Sequence, residues 1–69
     1  MGIGKQIRKR RTELGMTQEE LAKKCCYGRS STICDIEKGR QTITGDKVRL
    51  ICTTLGMTPN ELFGYDDWR

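Results

Sequence analysis

Residues 17–39 read TQEELAKKCCYGRSSTICDIEKG, and the fold turns on how many helices this run contains. Thr17 stands three positions before Glu20, the spacing of a capping box in which each side chain satisfies a backbone N–H of the other residue. Met16 and Leu21 flank that cap as a hydrophobic staple, so a helix starts near Gln18, runs to about Cys25 and buries Leu21, Ala22 and Cys25. The pattern breaks at CYGR. Ser30 or Ser31 then offers the N-cap of another short helix, with Ile33 and Ile36 three apart and Gly39 closing it. This helix has only those two large apolar residues to bury, which leaves Ser30, Ser31, Thr32, Cys34, Asp35 and Lys38 facing mostly outward.

The same logic extends in both directions. Upstream, residues 3–14 place Ile3, Ile7 and Leu14 on one side at helical spacing, and Gly15 is a left-handed stop. Downstream, Thr44 caps a helix over residues 45–55, where Val48, Ile51, Cys52 and Leu55 fall at i, i+3, i+4 and i+7 before Gly56. Thr58 and Glu61 form a second capping box, Pro59 occupies a first helical position where a missing N–H costs nothing, and Met57 with Leu62 makes a second staple. Phe63 is expected in the core. No strand pattern occurs, so the chain is expected to be all-α, about five short helices around one core, forming one domain over residues 1–64 with a tail at 65–69. Tyr65 and Trp68 in that tail either form a dimer contact or pack back on the domain.

A chain of 69 residues leaves little room for an enzyme pocket, and 35% hydrophobic with 32% charged residues fits a small soluble domain. No apolar run approaches the roughly 20 residues of a membrane span, and the N-terminus has no signal-peptide apolar region, which points to the cytoplasm. Charge is uneven: residues 1–50 carry twelve Lys and Arg against six Asp and Glu, a balance of +6, whereas residues 51–69 carry one Arg against three acids. A basic first two thirds suits a nucleic-acid partner, although Lys5, Arg8, Lys9 and Arg10 fit a solvated helix face as well as phosphate contact. Cys25, Cys26, Cys34 and Cys52 form no CxxC pair, and without histidine they read as reduced thiols rather than a zinc site. No metal, cofactor or catalytic residue is expected, because no nucleophile has a visible base.

Two short helices joined by a turn, the second polar outside, suit a helix that enters the major groove of double-stranded DNA and puts hydroxyls against base edges. The strings TQEELA, IEKG and LGMTPNELF, in that order and spacing, resemble the helix-turn-helix domains of phage repressor and Cro type, also called the xenobiotic-response-element family of bacterial regulators. The resemblance spans nearly the whole chain and implies a lambda-repressor-like fold. It implies a phosphate contact for Gln18, base reading by Ser30, Ser31 and Asp35, and backbone or flanking contacts for Arg29 and Thr32. Arg40, Gln41 and Thr44 take the place of the loop that touches phosphate across the groove. Arg11 and Glu37 match an inward-turned salt bridge and are assigned to structure.

One departure stands out. Between Ala22 and Ile33 the chain is one residue longer than the usual spacing, which shifts Arg29, Ser30 and Ser31 by up to one position against the family pattern. Asp35 is also an unusual base reader, since a carboxylate only accepts hydrogen bonds; it suits a cytosine amino group or an ion pair with Arg29 or Lys38. The implied function is a sequence-specific transcriptional repressor that binds an inverted repeat as a homodimer. The alternative is an antitoxin or other protein-interaction module on the same fold.

Overall fold

The computed structural model describes residues 2–63, which form five helices: α1 (Ile3–Glu13), α2 (Gln18–Lys24), α3 (Ser30–Glu37), α4 (Gly45–Leu55) and α5 (Pro59–Phe63). There is no strand among the described residues. Both capping boxes form. The Thr17 hydroxyl accepts the Glu20 N–H at 3.1 Å while the Glu20 carboxylate accepts the Thr17 N–H at 2.9 Å, and Thr58 with Glu61 repeats the exchange at 3.2 and 2.9 Å. The Thr17 backbone N–H, and then its hydroxyl, hold the Glu20 carboxyl below its ordinary value. At the other ends, Gly15 (φ 68°), Gly39 (φ 80°) and Gly56 (φ 65°) take the left-handed conformation that reverses the chain after α1, α3 and α4.

The starts of α3 and α4 differ from the sequence expectation. Arg29, in extended conformation (φ −143°, ψ 146°), is the N-cap of α3, and no side chain caps its first turn; Ser30 and Ser31 are already helical. Arg29 leaves the turn after α2 with an extended backbone, so coiling begins directly at Ser30. Thr44 occupies the N-cap of α4, but its side chain makes no hydrogen bond there.

Ile7, Leu21, Ile33, Ile36, Ile51 and Leu55 are fully or almost fully buried, with Leu62 closing the core from α5. Each such side chain contributes roughly 1.5–3 kcal/mol relative to exposure, which is why α3 can hold its place with two isoleucines. Leu14 and Phe63, expected inside, are 45% and 40% exposed. The buried positions of α1 are Gly4 and Ile7, in its first two turns, so Leu14 lies beyond the core. In the short α5, Leu62 takes the inward position, and the next residue is rotated about 100° away. Tyr65 and Trp68 lie outside the described residues.

α1 packs against α3, α4 and α5. Its approach to α3 is so close that a β-carbon on Gly4 would run into the carbonyl oxygens of Ile36 and Glu37, the latter at 2.6 Å. These are backbone atoms and cannot swing aside, so a larger residue must push the two helices apart. Gly4→Ala is therefore expected to lower unfolding free energy by about 1–3 kcal/mol in urea, despite alanine's better helix propensity. An unchanged or raised urea midpoint would contradict this contact.

Candidate nucleic-acid interface

Three helices meet at one carboxylate. Glu37, the last residue of α3, accepts from Arg11 Nε at 2.7 Å and Nη2 at 3.2 Å, and from Gln18 Nε2 at 3.1 Å. Arg11 also donates through Nη1 to the Met16 carbonyl oxygen at 2.7 Å, bracing the turn between α1 and α2. The Arg11 and Glu37 side chains are 11% and 4% exposed, so this two-pronged pair is largely shielded from water. The arrangement fixes α3 against the first residue of α2 and the third turn of α1. Among the described residues the other ion pair is Arg10–Glu13 on the surface, at 3.4 Å.

With its last turn anchored and Ile33 and Ile36 buried, α3 presents its opening turn to solvent. Arg29, Ser30 and Ser31 are exposed; Thr32, Cys34 and Asp35 are half-buried. No acidic residue stands in the first turn of α3 and no side chain caps it, so its first amides and the two serine hydroxyls remain available to an acceptor on a partner. Asp35 forms no ion pair with Arg29 or Lys38. Its backbone carbonyl accepts the Arg40 N–H at 2.8 Å, which ties the loop after α3 back onto the helix.

The remaining sequence-derived positions lie on both flanks of α3. Gln18 is half-buried, with its amide committed to Glu37, and shares a recess with Arg8, Cys34 and Lys38 beside the C-terminal half of α3. Arg40 and Gln41 are exposed directly after α3, and Thr44 is exposed at the start of α4. The expected phosphate contact at the start of α2 faces competition: Glu19 and Glu20 sit in that first turn, and the Glu20 N–H is taken by Thr17.

The thiols divide by position. Cys25 and Cys52 are buried, Cys34 is half-buried and Cys26 is exposed, all of them free. Burial pushes the Cys25 thiol up, with the Thr54 hydroxyl opposing, and burial likewise raises Cys52. Among the described residues no three potential metal ligands come together, and no helix is long and apolar enough to cross a membrane. Sequence spacing carried no signal for two cations that reach distant backbone carbonyls. Arg10 Nε donates to the Leu55 carbonyl oxygen at 2.8 Å, completing the end of α4, and Lys47 Nζ donates to the Cys25 carbonyl oxygen, also at 2.8 Å.

Residues 7–62 match the helix-turn-helix family. Among solved structures, the chain is similar to the restriction-modification controller protein C.AhdI from Aeromonas hydrophila, with a TM-score of 0.80 at 30% identity. That likeness covers 88% of this chain and 91% of the other. No curated protein matches the sequence.

Replacing Glu37 by Gln removes the charge that Arg11 was desolvated to meet, so Glu37→Gln is expected to cost about 3–5 kcal/mol of stability. The double variant Arg11→Met, Glu37→Leu should recover much of that loss, because no unpaired charge is left. Urea unfolding of the three proteins measures both; a single-variant cost under about 1 kcal/mol would class the bridge with ordinary surface pairs.

Proposed function

The chain belongs to the Cro/C1-type helix-turn-helix family of DNA-binding transcriptional regulators, and from that premise we propose that it represses transcription by binding an inverted-repeat operator in double-stranded DNA as a homodimer. The observation that carries the reading is the division of α3. Ile33 and Ile36 are buried and Glu37 is locked to α1 and α2, while Ser30 and Ser31 stand exposed at an uncapped helix start. A helix held rigidly by one side and one end can enter a groove about 12 Å wide without losing its orientation.

In this reading Ser30, Ser31 and Asp35 meet base edges. The serine hydroxyls both donate and accept, whereas Asp35 only accepts and so selects a cytosine amino group. Arg29 and Thr32 contact backbone or flanking bases, and Arg40, Gln41 and Thr44 contact phosphate beyond the groove. Gln18 reaches phosphate with the amide hydrogen that Glu37 leaves over. One module of this size contacts few base pairs, so a second copy on a symmetric half-site supplies the affinity a regulator needs. Likeness to a restriction-modification controller supports the regulatory role.

Selection from random duplexes by the purified chain should enrich an inverted repeat with half-site centres about 10–11 bp apart. Recovery of no preferred sequence at low or moderate salt would overturn the reading. With the selected duplex in hand, Arg40→Ala should weaken binding to all sequences alike and reduce the salt slope by about one, whereas Ser30→Ala and Ser31→Ala should change which bases are preferred.

A further inference from the structure

Lys47 stands outside the surface proposed to meet DNA, yet it grips the turn that delivers α3 to that surface. It lies in the first turn of α4, and its ammonium donates to the Cys25 carbonyl oxygen at 2.8 Å and to that of Cys26 at 3.3 Å. The same nitrogen sits 4.7 Å from the centroid of the Tyr27 ring, within cation–π range. Three consecutive residues are held by one side chain. They follow the end of α2, where carbonyls lack N–H partners and the negative end of the helix dipole favours a cation.

Cys26 is also the one described non-glycine residue with positive φ, at 61°. A side chain with a β-carbon enters that conformation unwillingly, and such strain persists where the surroundings over-determine it. Lys47 supplies part of that determination from a different helix.

We infer that Lys47 is a positioning residue for site-specific DNA binding, clamping Cys25–Tyr27 to α4 so that α3 and the Arg40–Thr44 loop keep one fixed spacing. The inference rests on the DNA-binding reading above. Between the clamped turn and Lys47 itself lies every proposed contact residue except Gln18, so the clamp closes the segment that would face DNA into a ring anchored at both ends. Base contacts depend on that spacing, whereas loose attraction to phosphate does not. Because the ammonium is occupied by the Cys25 and Cys26 carbonyl oxygens, its loss should cost discrimination and leave general affinity nearly intact.

The test compares wild type, K47M and K47R on the duplex selected by the wild-type chain and on a scrambled duplex, over a range of salt, with amide NMR spectra of each free protein. K47M is expected to lose about tenfold in the ratio of the two affinities, the effect of roughly one mismatched base pair. Its affinity for scrambled DNA and its salt slope should stay close to wild type, its amide shifts should move from Cys26 into α3, and K47R should restore most of the ratio. An unchanged ratio, even with lower thermal stability, overturns the inference. So does equal weakening on both duplexes with the salt slope reduced by about one, which makes Lys47 a phosphate contact. If K47M does not fold, Y27L, which removes the ring and keeps the carbonyl bonds, takes its place: a smaller loss of ratio supports the clamp and an unchanged ratio overturns it. A wild-type chain that selects no duplex defeats the DNA-binding reading instead, and the α3 amide shifts of K47M then decide by themselves whether Lys47 positions the helix.

Discussion

The carboxylate of Glu37 ties the domain together. It ends α3, receives two bonds from Arg11 and one from Gln18, and so joins the first three helices at a point shielded from water. A charge taken out of solvent is costly unless all its lone pairs find donors, and here three donors converge from two helices. The energetic asymmetry matters more than the strength of any single bond. Any arrangement that moves α3 relative to α1 or α2 strands Arg11 or Glu37, so the pair penalises misplacement of the helix more than it rewards folding.

Around this anchor, the helices end in two different ways. α2 and α5 start with complete capping boxes, and their first turns are satisfied within the chain. α1, α3 and α4 start without a side-chain cap, and the residues near the last two starts are Arg29, Ser30, Ser31, Gln41 and Thr44. Local stability is thus built into the starts of α2 and α5. At α3 and α4 the hydrogen-bonding capacity is left unspent; the turn before α3 is held by Lys47, and the loop after it by the Arg40 N–H on the Asp35 carbonyl oxygen.

Much of the fold could be read from local chemistry. Thr17 with Glu20, Thr58 with Glu61, and the glycines after α1, α3 and α4 act within a few residues of themselves, so their spacing alone announces helix boundaries. Misplaced residues were those whose surroundings come from elsewhere in the chain. Leu14 has the right period for the core of α1 and still overhangs it, and Phe63 follows an inward leucine on a helix too short to bury both. Gly4 looks like an indifferent helix residue until Ile36 and Glu37 are seen against it. Lys47 reads as a surface cation because nothing in its neighbourhood mentions Cys25, twenty-two residues earlier. For the candidate interface, the residues were implied by the family resemblance, while their exposure and anchoring depended on tertiary packing.

The packing of α1 against α5 bears on the order in which the domain can mature. As the chain leaves the ribosome, α1 emerges with Ile7 uncovered and Arg10 facing no carbonyl. Each later helix can coil as it appears, because its start and stop signals travel with it. Arg10 finds the Leu55 carbonyl only after α4 is out, and Leu62 seals the core only after nearly every described residue has been synthesised. The core can therefore close only once α5 is available, which makes the last described helix the one that completes cooperative folding.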